Sequence, residues 1–236
     1  QEFQKFMVAY IQQLQRQADT DKVFAKLGWR DDGSFVYNGK QYTPTRTLVA
    51  NINPETANGI NGLGTKGTLA GWQRAAAFYN YPEYHGQAFC FFTGFGSVLF
   101  KFTGYEGAIV NMVGSTGAGK STVLQAATSV WGNPKELMLS GTKQAATVLA
   151  RIAQISLLNN LPVAVDEITN LEPQTLSDLC YQVSQGKGRE RLGRNGKLQN
   201  DHERWCTMMA CSSNASIYSK LASLKYDSSA EAMRTF

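Results

Sequence analysis

Apolar positions in the first part of the chain recur at helical spacing: Phe6, Val8, Ile11 and Leu14, then Val23, Phe24 and Leu27. The spacing predicts helix over residues 3–27 with a break near Ala18, where Asp19 or Thr20 can cap a second helix. From Gly28 and Trp29 to Gln41 and Tyr42 the pattern becomes that of strands, with turns at Asp32-Gly33 and Asn38-Gly39. Pro44, which has no backbone donor, ends the last of them. Residues 43–66 are polar and rich in Asn and Gly, a loop with one strand near 48–51. A helix is predicted over 68–79, with Thr68 as N-cap and Leu69, Trp72, Ala76 and Tyr79 on one side. Residues 85–102 are strongly apolar (Phe89, Phe91, Phe92, Phe95, Leu99) and fit one or two helices packed on the C-terminal half of the chain; His85 has no assigned role.

From residue 109 the pattern alternates. Strands are predicted at 109–113, 137–139, 161–165 and 208–211, and helices at 122–130, 143–159, 171–184 and 216–224. Trp131-Gly132-Asn133-Pro134 stops the first of these helices, and Thr142 can cap the second. Strands alternating with helices imply an α/β fold with a mostly parallel sheet and helices on both faces. We therefore expect an α+β extension over 1–104 that packs on, or helps assemble, a core over 105–236.

The stretch from Ile109 to Leu124 carries the clearest chemistry. An apolar strand runs into Gly114-Ser115-Thr116-Gly117-Ala118-Gly119-Lys120-Ser121, followed by Thr122 and a helix, which satisfies G-x-x-x-x-G-K-[ST] at every fixed position. Glycines let the backbone amides close around a phosphate, and the helix start adds free N–H groups and a positive dipole end. Lys120 reaches the β- and γ-phosphates in such a loop, and the Ser121 hydroxyl ligates Mg²⁺. Residues 114–122 thus read as an ATP site. The apolar run Val163-Ala164-Val165 ends in Asp166-Glu167. Asp166 at a strand tip suits the Mg²⁺ shell, and Glu167 suits polarising the attacking water. Together the two motifs favour hydrolysis over passive binding.

Met208-Met209-Ala210-Cys211 is again an apolar strand, ending in Ser212, Ser213 and Asn214. Asn214 is the first candidate for holding the lytic water, with the two serines next. Between the acids and this strand lie Lys187, Arg189, Arg191, Arg194 and Lys197 around an Asn195-Gly196 turn, which predicts a basic hairpin. In one reading Lys187, Arg189, Arg194 and Lys197 hold nucleic-acid phosphates; in another Arg189 or Arg191 reaches a neighbour's γ-phosphate; in a third the segment is a solvated loop. Arg234 is another candidate for the trans-acting arginine, and equally a surface residue of a C-terminal helix.

Composition changes this picture little. The formal charge of +5 permits an anionic partner without requiring one. Cys90, Cys180, Cys206 and Cys211 have no metal-finger spacing and read as reduced thiols. With no apolar run of membrane length and no signal peptide pattern, an intracellular protein outside the membrane is expected. The chain begins at Gln1 and reads as a piece of something longer.

Several elements occur in one order: Gly67-Thr68-Leu69-x-x-Trp72, the apolar 89–100 segment, the phosphate loop with Val130-Trp131-Gly132, Val165-Asp166-Glu167-Ile168, and Gly188-Arg189-x-Arg191-x-x-Arg194-x-Gly196 before a strand ending in Ser-Ser. This order resembles the helicase-like domain of unknown function 927 of phage and plasmid replication proteins, often found beside a primase module. The family commonly has Lys where this chain has Arg189. The resemblance implies an AAA+-like, superfamily-three-like ATPase in a bacterial host's cytoplasm. It implies a ring, expected to be a hexamer, that moves on single-stranded DNA and can share its chain with a primase or polymerase domain. A nucleotide-controlled assembly switch and a DNA-packaging motor are the alternatives; intact Asp166-Glu167 speaks against the first.

Overall fold

The computed structural model describes residues 2–17, 23–140, 148–188, 204–222 and 224. An N-terminal helix α1 (Glu2–Gln17) is followed by strands β1 (Val23–Phe24), β2 (Gly28–Trp29), β3 (Phe35–Tyr37), β4 (Lys40–Tyr42), β5 (Thr47–Val49) and β6 (Asn51–Ile52). Then come helices α2 (Pro54–Gly59), α3 (Leu69–Ala76) and α4 (His85–Phe100), the last two linked by 3₁₀ turns. The rest alternates: β7 (Gly107–Val113), α5 (Lys120–Ser129), α6 (Pro134–Leu137), β8 (Leu139–Ser140), α7 (Val148–Leu158), β9 (Val163–Asp166), α8 (Pro173–Gln185), β10 (Thr207–Ser213) and α9 (Ile217–Leu221).

The central sheet has the order β7-β10-β9-β8, and every pair is parallel. Its strands alternate side chains between two apolar layers, as a sheet covered on both faces must. Ile109, Met209, Cys211, Val163 and Val165 join the core cluster containing Ile152 and Ile155 of α7 and Leu176, Leu179 and Val183 of α8. Ala164 and Ala210 join the second cluster, with Cys90 of α4 and Val123 and Leu124 of α5. The expected parallel sheet with helices on both faces is thus present.

The first sequence region folds as two small sheets, antiparallel β2-β3-β4-β5 and parallel β1-β6. Here one expectation fails. Residues 23–27 do not continue a helix: Val23 and Phe24 pair in parallel with Asn51 and Ile52, Val23 outward and Phe24 buried. A two-residue alternation beside β-branched Val is strand chemistry, and the helical spacing there was coincidental. The polar 43–66 stretch also holds α2, too short and too Asn-rich to show a period. The predicted turns occur where expected, with Asn38, Gly33 and Gly39 at positive φ, and Thr68 caps α3 by accepting from the Gly71 amide at 3.1 Å.

Two tryptophans anchor these elements to the loop-bearing helix α5. Trp72 Nε1 donates to Ser129 Oγ at 2.9 Å, and Trp131 Nε1 donates to the Gly94 carbonyl at 2.6 Å. Tyr37 hydroxyl hydrogen-bonds the Trp131 carbonyl, and burial raises that phenol above its ordinary pKa. Gly94 lets α4 lie directly on α5, since a Cβ there would come within 2.3 Å of the Ala127 carbonyl oxygen. Gly94→Ala must therefore push the helices apart, at a cost of about 1–3 kcal/mol. The expected result is a lower urea midpoint with an unchanged m-value; a wild-type midpoint would show the contact to be soft.

Candidate functional site

Three strands deliver their carboxyl ends to one cleft. The loop of residues 114–119 leaves β7, Asp166 ends β9, and Asn214 follows β10, which lies between them. The crossover through α5 runs on one face of the sheet and those through α7 and α8 on the other. The crevice at the carboxyl ends beside β7 is consequently a topological switch point, where open α/β sheets take ligands. Residues 116–122, Glu167, Ser212, Ser213 and Asn214 line a cleft of about 260 Å³ there.

The loop has the shape its glycines permit. Gly117 and Gly119 adopt φ of 85° and 78°, a left-handed region open to glycine. Gly119 is the N-cap of α5, and no side chain caps that helix start. Lys120 Nζ donates to the carbonyls of Gly114 and Ser115, each at 2.8 Å, and to Asn214 Oδ1 at 3.0 Å. The lysine thus ties the two ends of the loop to the tip of β10.

On the other side Ser121 Oγ donates to Asp166 Oδ1 at 3.0 Å, and Ser212 Oγ hydrogen-bonds the same carboxylate oxygen. Ser212 Oγ also accepts from the Glu167 amide at 2.9 Å. Glu167 sits at φ 53°, unusual for a residue with a Cβ and costing about 1–2 kcal/mol. The Ser212 contact and a 2.8 Å bond from Asn170 Nδ2 to Glu167 Oε2 hold it there. Strain held in place at a cleft is a signature of positioned chemistry.

The structure brings together Gly114 through Thr122, Asp166, Glu167 and Asn214. It also adds two residues to the plan. Ser212, which the sequence offered only as a stand-in for Asn214, instead joins the two acids, and Asn170 orients Glu167; an Asn three residues beyond an acid at a strand tip is the signal that could have found it. Lys187 is exposed and lies elsewhere, paired with Arg204 near the start of β10. Seven residues of strand, roughly 20 Å, separate it from the cleft. Arg189, Arg191, Arg194, Lys197 and Arg234 lie outside the described residues, as do Asp19, Thr20 and Thr142.

The cleft suits an anionic, metal-bound group. An uncapped helix start and a positive-φ glycine loop present backbone N–H groups toward an anion. A hydroxyl and a carboxylate oxygen converging at 3.0 Å are the hard donors Mg²⁺ prefers. The cysteines lie outside this cleft: none of the four is in a disulfide, and burial pushes the Cys90 thiol up to about 12.

A parallel sheet flanked by helices, with this loop after its first strand, defines a P-loop-like α/β protein. Within that class the chain belongs to the DUF927 family, a domain of unknown function whose model matches residues 1–203. Its fold is similar to that of the solved structure described as "SCCmec type IV Cch - active helicase", with a TM-score of 0.65 and 20% identity. That alignment covers 98% of this chain and 43% of the other. The A form apo structure of the NrS-1 C terminal region aligns over 81% of this chain and 43% of that one, at 11% identity and a TM-score of 0.39. The chain spans less than half the length of either protein. No curated protein sequence matches it. Among the described residues, no helix is long and apolar enough to cross a membrane.

Proposed function

We propose that this chain is the ATP-hydrolysing motor part of a replicative DNA helicase, working in a ring on single-stranded DNA. The observation that supports this most is the meeting of Lys120, Asn214, Ser121, Asp166 and Glu167 at the carboxyl ends of three adjacent parallel strands. Residues 114–122 cradle the triphosphate, and Lys120 neutralises its terminal phosphates. Ser121 and Asp166 hold Mg²⁺, which when bound supplies positive charge to the phosphate oxygens. Glu167 accepts the proton of the attacking water, and Asn214 orients that water beside the lysine. A neighbouring copy supplies the arginine that completes the site, with Arg191 and Arg234 the candidates. Residues 105–236 form this motor core and 1–104 pack on it.

Lys187, Arg189, Arg194 and Lys197 form the DNA-contacting segment in this reading. The test is ATP turnover with and without single-stranded DNA. Stimulation is the expected result; turnover that DNA leaves unchanged favours a nucleotide-controlled assembly switch. Arg194→Ala with Lys197→Ala should weaken single-stranded DNA binding and reduce the slope of log affinity against log salt by about 1.4, roughly 0.7 for each phosphate no longer neutralised. An unchanged slope returns the segment to a solvated loop.

A further inference from the structure

Helix α4 is built inside out. Its sequence contains no charged residue, as in a helix buried on all sides. Yet its small residues face inward: Cys90, Thr93, Gly94 and Ser97 are buried against α5 and β10, with Ser97 Oγ hydrogen-bonded to the Asn160 carbonyl at 2.9 Å. Phe91 is buried with them, but three of the five phenylalanines face out. Phe89, Phe92, Phe95, Leu99 and, just beyond the helix, Phe102 are 38–66% exposed. A helix this apolar with most of its large side chains exposed along one face has a missing neighbour.

The same chain carries a matching surface. On α1, Phe3, Phe6, Met7, Tyr10, Ile11 and Leu14 fall within one stripe about 140° wide at 100° per residue. Phe3, Met7, Tyr10 and Leu14 repeat at the four-three-four spacing of a helix-packing seam. All six are 37–73% exposed, so a face with the pattern of core meets no core. With side chains of about 150–250 Å² for the aromatics, each stripe offers on the order of 600 Å² of apolar surface. That is at the upper end of the roughly 300–600 Å² of the largest patch on an ordinary monomer and, with a polar rim, approaches the roughly 800 Å² per partner of a stable interface.

We propose that α1 of one copy docks along the outer face of α4 of the next. Because the two surfaces differ, the contact is head-to-tail, and repeating it closes a ring or builds a filament. This rests on the assembly part of the function proposed above and names the surfaces that make it. It requires nothing of the nucleotide cleft, so the two ideas fail separately.

The experiment mixes two single variants of the full chain, Phe6→Cys and Phe92→Cys, under diamide oxidation. Both sites are exposed and outside the core, and the partly buried Cys206, its thiol pushed up to about 11, reacts slowly. A mixed disulfide dimer forming as the main product, faster than either variant forms with itself, is the expected result. Phe6→Asp with Ile11→Asp should also reduce the light-scattering mass of the nucleotide-free protein to that of a monomer while leaving the melting temperature unchanged. Three outcomes would each overturn the proposal: a monomeric wild type, Phe6–Phe6 adducts prevailing over mixed ones, or adducts forming only within one chain when both cysteines are present. DNA-stimulated turnover, measured alongside, reports on the motor reading independently.

Discussion

Glu167→Gln is expected to stop ATP turnover while leaving ATP bound. The substitution keeps the shape of the side chain and its Oε acceptor, so the Asn170 amide retains a partner. It also leaves the Glu167 amide on Ser212 Oγ, and hence the positive-φ backbone, untouched. What disappears is the carboxylate that, in the proposed function, takes a proton from water. A positioned general base contributes about 10²–10⁴-fold, and the fall in kcat should lie in that range. Binding reads differently, because Lys120, Ser121 and the glycine loop remain. Saturating ATP should still stabilise the variant, by about 2.7 kcal/mol at a hundred times Kd, and the bound nucleotide should be recovered as ATP rather than ADP. A variant turning over within a few-fold of wild type would remove Glu167 from the chemistry and leave its strained backbone in need of another explanation.

The parts of this site that were legible in sequence are those made by neighbours along the chain. Residues 114–122 form one uninterrupted motif, and Val163 to Glu167 is an apolar strand that announces its polar end. What crosses between strands was not legible. Nothing in the linear order says that β10 lies between β7 and β9, yet that order is why Asn214 reaches Lys120 and Ser212 reaches both acids. Side-chain direction was similarly hidden. Trp72 and Trp131 look like core aromatics, but their indole N–H groups fasten α3 and α4 to the loop-bearing helix and the turn after it. The stripe on α1 has the spacing of a buried face and is exposed, and α4 turns Phe89, Phe92 and Phe95 outward because Gly94 must face α5. Short elements failed for a simpler reason: α2 and α6, of six and four residues, are too brief to express a period.

Lys120→Ala should abolish hydrolysis in a distinguishable way, by losing the nucleotide as well as the rate. The ammonium has three donors, and all three are engaged, by Gly114 O, Ser115 O and Asn214 Oδ1. It is therefore the clasp that closes the loop on β10 and, in the proposed function, also the charge that meets the phosphates. Truncation to Ala removes the charge and frees the loop; the Ser115 carbonyl and Asn214 are exposed to water and the Gly114 carbonyl only partly buried, so little is lost. Stability in the absence of nucleotide should change by only about 0.5 kcal/mol, as for other surface positions. With ATP the contrast with Glu167→Gln appears: no thermal upshift, no retained ATP, and a turnover reduced by at least the 10²–10³-fold that one electrostatic donor contributes. Lys120→Arg separates the two roles. It restores the charge, but a planar fork cannot address three acceptors spread around one point, so binding should recover in part and turnover should not. If Lys120→Ala instead hydrolysed ATP at the wild-type rate, the loop would be a structural turn and the cleft would have to be reassigned from its other wall, where Ser121, Asp166 and Ser212 meet.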